Sequence, residues 1–191
     1  MADKKSKLYK IAMARKVNAG ISLVCTLLIL VHGTYDAIWM MLRGLVPNLP
    51  KPMAFVLMGF VILHTILSVV TAILGSGGKS KAKEIMYAKE NIKTLVQRIF
   101  GILMVLLLAP HIIGMGNRLA PKALHSIIHP IFFLAVYGHT AISCSKAFIT
   151  LGIGNAKTIK VIDIVATVLC GLIFVASIVG LYLVMYGRWL G

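Results

Sequence analysis

The chain has 191 residues, of which 59% are hydrophobic and only 13% charged. A soluble domain carries about twice that charged share, so water is not the main solvent of this chain. Its net charge of +15 would suit a nucleic-acid binder, but the 20 basic residues are spread between long apolar runs rather than gathered in one patch, which argues against that class.

The apolar runs predict five transmembrane helices, at about 18–42, 52–75, 92–114, 122–150 and 160–186. Each reaches or exceeds the ~20 residues that cross a bilayer core. The fold class expected is therefore all-α, an integral membrane bundle, with residues 1–191 as a single domain. No secretory signal peptide is expected, because the first apolar run is too long and lacks a small-residue cleavage site. The connections at 43–51 and 114–121 are short and carry Pro47, Pro50, Gly114, Gly116 and Pro121, so consecutive helices are expected as antiparallel neighbours. The interval 76–91 is the longest polar stretch and reads as a loop or a short surface helix.

Assigned to alternate sides of the membrane, the basic residues divide 15 to 5. The side with 15 holds the N-terminus and the second and fourth loops. The positive-inside rule makes that side cytoplasmic and puts the C-terminus outside, as in a multi-pass protein of the cell inner membrane. The same charges serve topology and anionic lipid contact, or they dock a cytoplasmic partner.

Cys25, Cys144 and Cys170 all fall inside apolar spans, and no two form a C-x-x-C pair. An iron–sulfur cluster, a zinc site and a covalently attached haem therefore lack their ligands, and the thiols read as small core hydrophobes. Nucleotide-binding glycine loops are absent too. Redox chemistry, if present, falls to histidine.

Six histidines occur, and each of the first four helices carries one well inside its span: His32, His64, His111 and His139. Ionisable groups in a bilayer are costly and face the bundle interior, where each can be a ligand or a structural side chain bonded to a carbonyl. Depth separates them into two levels. His32 and His111 stand ~21 Å and ~28 Å above the inner ends of the first and third helices. His64 and His139 both stand ~16 Å above the inner ends of the second and fourth. Two imidazoles at matched depth on facing helices are what a bis-histidine haem requires, whereas zinc wants more ligands at one level. The expectation is two haems b, held by His32/His111 on the outer side and His64/His139 on the inner side.

Other residues surround these levels. Gln97 lies fourteen residues before His111, nearly on its face, and Gly101 between them lets a flat macrocycle approach the backbone. Lys146, two turns inward of His139, either meets an inner haem propionate or snorkels to the interface. His125 lies fourteen residues before His139 and is a candidate partner for an outer propionate. His129 rivals His111 as outer ligand.

The run LVQRIFGILMVLLLAPH (95–111) resembles the Q-R-x-[ST]-G-x(9)-H helix of cytochrome b subunits of succinate dehydrogenases and fumarate reductases. The histidines of HGTYDAIW, FVILHTILSVVTAILG and VYGHTAISCSKAFITLGI fall where the five-helix, dihaem form of that subunit keeps its other three ligands. The match spans essentially the whole chain through helix order and histidine placement. Two positions depart from the pattern. Phe100 stands where Ser or Thr is usual, and Tyr137 stands where some fumarate-reductase members carry a glutamate thought to conduct protons, so that proton path is not carried over.

The resemblance implies a membrane anchor that carries electrons between a quinone, menaquinone above all, and cytoplasmic flavoprotein and iron–sulfur subunits. Dicarboxylate chemistry would then lie in those partners. Asp36 is the one acidic residue of the outer half, a turn beyond His32, with Tyr35 and Trp39 beside it and Arg43 two turns outward. It either exchanges protons with a quinone docked near the outer haem or pairs with Arg43 to fix the helix end. Two other readings remain at this point. One is a bis-histidine cytochrome b subunit of a hydrogenase or formate dehydrogenase. The other is a haem-free transporter that uses histidines as relays.

Overall fold

The computed structural model describes residues 2–42, 51–75, 88–116 and 124–186. These form five long helices: α1 (Ala2–Leu42), α2 (Lys51–Gly75), α3 (Ala88–Gly116), α4 (His129–Leu151) and α5 (Ala156–Tyr186), with a π-helical turn (Leu124–Ile128) leading into α4. All five are long and apolar enough to cross a membrane. The chain is thus an all-α membrane bundle.

The helix ends differ from the sequence expectation at the polar sides. α1 starts sixteen residues earlier than its apolar run, because DKKSKLYKIAMARKVN holds mostly good helix formers and no Gly or Pro. Hydropathy marks where a helix enters lipid, and helix propensity carries it beyond. At the start of α4 the ladder changes register: Pro130 sits in the first turn, where a missing N–H costs nothing, and the π turn precedes it.

The connection between α4 and α5 is closed by paired caps. Gly152 takes a left-handed φ of 75°, its N–H donates to the Ile149 carbonyl at 3.1 Å, and the Ile153 N–H donates to the Phe148 carbonyl at 3.0 Å. Two orphan carbonyls are satisfied in this way, and only glycine adopts that φ without strain. Three residues on, Asn155 caps α5: its Oδ1 accepts the Thr158 N–H at 2.9 Å and the Thr158 hydroxyl at 3.1 Å. Asn155→Ala is expected to cost about 1 kcal/mol of stability without changing the fold, measurable as a lowered thermal midpoint in detergent.

Helices α1, α4 and α5 pack on one another as a trio, while α2 rests on α1 and α3 on α4. Among the described residues no Cα of α2 comes within 8 Å of one in α3, α4 or α5. Consecutive helices are neighbours except at the longest loop, where α2 and α3 leave a slot between them. Small residues set the close approaches inside the trio. Gly33 of α1 takes the Tyr137 hydroxyl against its Cα, and Gly180 of α5 faces Ala37 and Met40 of α1. In lipid, where no solvent drives helices together, such contacts supply the packing.

Small hydroxyls are set among apolar side chains inside the molecule, and its outside is apolar. Ser22, Thr71, Thr140, Ser143, Ser145, Ser177 and His129 are buried, while large side chains such as Leu27, Phe55, Ile102, Leu106 and Leu172 are more than half exposed. An apolar exterior of this extent suits lipid. Hydroxyls that lack an interhelical partner bond back to their own helix, as Thr65 does to the Val61 carbonyl and Thr167 to the Asp163 carbonyl.

Candidate functional site

Two histidine groups occupy the space between α1, α2, α3 and α4. In the first, His64 of α2 meets His139 of α4 with ring centroids 6.4 Å apart and planes inclined at 72°. These helices have no close backbone approach, so the rings face each other across a gap rather than through packed backbones. Two imidazoles that share one metal through bonds of ~2 Å place their ring centres roughly 6 Å apart. The observed separation matches that span.

The His139 ring is fixed from behind. Its Nδ1 lies 2.9 Å from the backbone carbonyl of Gln97, to which it donates, and this leaves Nε2 to act as a ligand. Gly101 of α3 makes this approach possible, since a Cβ there would stand 3.1 Å from the His139 ring. Gln97 also donates from Nε2 to Ser143 at 2.8 Å and accepts from Lys146 Nζ at 2.8 Å. Lys146 reaches Thr94 as well, at 3.0 Å. The Gln97 and Gly101 positions that stand out in the third-helix motif therefore both bear on one histidine of α4.

His64 is held from α1. Its ring faces the backbone of Asn18, whose side chain donates to Ser68 of α2 at 3.0 Å. Asn18 lies fourteen residues before His32, the same interval that separates Gln97 from His111 and His125 from His139. That recurrence is the sequence signal that could have singled it out. Among the described residues the cavity at this level, lined by Ser22, Cys25, Thr26, His64, His139 and Ser143 among others, measures about 20 Å³. That is room for a single water and far less than a macrocycle fills, so seating one between these rings requires the side chains at this level to move apart.

The second group contains three histidines. His111 of α3 stacks on Phe132 of α4 at 4.3 Å and 23°, and lies 5.3 Å from His129, which is 0% exposed. His32 of α1 is close enough to His111 to act on it electrostatically. His32 Nε2 bonds to Asp36 Oδ2 at 3.2 Å, one turn along the same helix. Asp36 thus has the ring of His32 as its partner. Arg43, the other partner considered for it, lies outside the described residues, as does the side chain of His125. Trp39 packs against the core, and Tyr35 is half-buried beside it.

The donor chemistry of these imidazoles suits metal ligation. His32, His64 and His111 each present a buried Nδ1 with no hydrogen-bond partner among the described residues. A buried imidazole nitrogen left without a partner is costly, unless a metal or an unseen donor meets it. A histidine bonded to a carboxylate or carbonyl through one nitrogen, with the other bare, is the arrangement metal ligands adopt, and His32 and His139 have it. Among the described residues no three His, Cys, Asp or Glu side chains converge as a bare metal ion would require.

The departures from the family pattern have local causes. Phe100 lays its ring on Gly138, where a Cβ would collide with it, so the larger residue on α3 is matched by the absent side chain on α4. Tyr137 reaches into the trio: its hydroxyl lies 3.3 Å from Ser177 of α5 and against Gly33, the chain neighbour of His32. Comparison with known family models, curated proteins and solved structures finds no match, so the resemblance rests on the third-helix motif and on where the histidines stand.

Proposed function

We propose that the chain is the dihaem cytochrome b anchor of a fumarate reductase or succinate dehydrogenase complex, passing electrons between a membrane quinone and cytoplasmic flavoprotein and iron–sulfur subunits. The observation that carries the reading is the His64–His139 pair, 6.4 Å apart on helices whose backbones make no close approach. When bound, a haem b held by two histidines supplies a carrier of single electrons.

In this reading His64 and His139 hold the inner iron, and His32 and His111 the outer one. Gln97 fixes the tautomer of His139 through its carbonyl, and Gly101 keeps the helix surface flat against that ring. Lys146, bonded to Gln97 and Thr94, stands at the inner edge of the same level and suits an anionic propionate. Asp36 holds His32 and lies where a quinone beside the outer haem would need a proton donor, with Tyr35 and Trp39 to flank its ring. The quinone proposed is menaquinone, on the strength of the family resemblance. The basic end of the bundle, by charge complementarity, is the face on which the soluble subunits would dock.

A pyridine haemochrome assay on the purified chain tests this directly. Two haems b per polypeptide are expected. A preparation that takes up no haem during expression or on addition of hemin would overturn the reading and leave the transporter alternative.

A further inference from the structure

A cavity of about 590 Å³ that no histidine lines lies where the inner ends of α3, α4 and α5 come together. Its charged lining is Lys93, Lys146, Lys160 and Asp163. The single acid is already engaged: Asp163 Oδ2 pairs with Lys93 at 3.3 Å and Oδ1 accepts from Ser145 at 2.9 Å. Three cations against one occupied carboxylate leave the cavity net positive. Beside Ser145 and Asn155 the rest of the wall is mainly apolar, with Ile142, Ile149, Ile153 and Ile159, and of these Ile149 and Ile153 are 60% and 51% exposed.

We propose that this cavity binds an anionic phospholipid, its phosphate among the three lysines and its acyl chains along the isoleucine rim. The three lysines lie within one to two turns of the ends of their apolar spans, the depth of a lipid headgroup. The end of the bundle that holds them carries most of the basic residues, where the positive-inside rule places the anionic leaflet. A soluble anion would use the lysines but gain nothing from exposed isoleucines, so the combination selects a lipid. The turn Gly152–Asn155, capped at both ends, holds the cavity's rim in one shape and so reduces the ordering that binding would cost. Lys146 is shared with the propionate role proposed above, whereas Lys93 and Lys160 are not, so the test rests on those two.

The test is native mass spectrometry of the full chain in mixed micelles of detergent with cardiolipin, phosphatidylglycerol or phosphatidylcholine. The anionic lipids are expected to stay bound and phosphatidylcholine to leave. Lys160→Gln, at an exposed side chain, should weaken anionic binding about fivefold, and the pair Lys93→Gln with Lys160→Gln further. Lys10→Gln with Arg15→Gln removes the same charge from α1 outside the cavity and should have little effect. Equal weakening by the two double variants would mean diffuse attraction to the basic face and overturn the site. Glycerol phosphate binding as tightly as the lipids would show a soluble anion site instead. Equal retention of phosphatidylcholine would also end the proposal.

Discussion

Replacing His64 or His139 by alanine is expected to lower the haem content from two to one per chain, with the remaining haem spectroscopically intact. The two rings face each other across a gap with no close backbone approach between α2 and α4, and among the described residues no other histidine ring contacts them to take over as ligand. His139→Ala has a second cost. It removes the bond that the Gln97 carbonyl, already an acceptor within α3, takes from the ring at 2.9 Å, a loss of about 1 kcal/mol. The His139 variant should therefore also lose thermal stability relative to the His64 variant. Gln97 retains its side-chain bonds to Ser143 and Lys146, so α3 and α4 should stay joined. At the outer level His32→Ala or His111→Ala should remove the other haem. There the structure supplies a competitor, since His129 is fully buried and 5.3 Å from His111. If the His111 variant keeps both haems and a His129 variant loses one, His129 is the outer ligand. If all four variants keep both haems, the bis-histidine assignment falls entirely.

Asp36→Asn is expected to slow quinol-linked turnover of the assembled complex by on the order of a hundredfold, while both haems and subunit assembly persist. Activity of the partner subunits with an artificial electron donor should be unchanged, which separates proton exchange from a defect in assembly. The bond from Asp36 to His32 at 3.2 Å makes a positioning role the competing explanation. Asparagine keeps a side-chain oxygen for that bond and loses only the capacity to exchange a proton. Loss of the outer haem in Asp36→Asn would therefore assign the carboxylate to holding His32. Normal turnover with both haems present would remove Asp36 from the quinone chemistry.

The close approach of α3 to α4 shows how side chains on two helices settle a position that a motif leaves open. Phe100 looks like a defect in the third-helix pattern when α3 is read alone. Beside Gly138 it is a fitted contact, because the volume gained on one helix is absent from the other. Tyr137 shows the same dependence: its hydroxyl meets Ser177 of α5 and Gly33 of α1, neighbours that its place two residues before His139 does not name. A residue's angle around a helix follows from its number, but which neighbour that angle meets does not.

Five spans, their apolar exterior and the matched depth of His64 and His139 all follow from the sequence alone. Hydropathy sets where a helix crosses lipid, and a rise of ~1.5 Å per residue converts spacing into depth. The lateral arrangement came only from the tertiary structure. That α2 and α3 stand apart, that α5 joins α1 and α4, and that His111 lies beside His129 depend on where glycines and small hydroxyls allow helices to close. The partner of Asp36 was within reach of its own helix all along, one turn back at His32, but the sequence offered Arg43 equally well. Spacing along a helix limits the choices to a face and a level, and packing between helices decides among them.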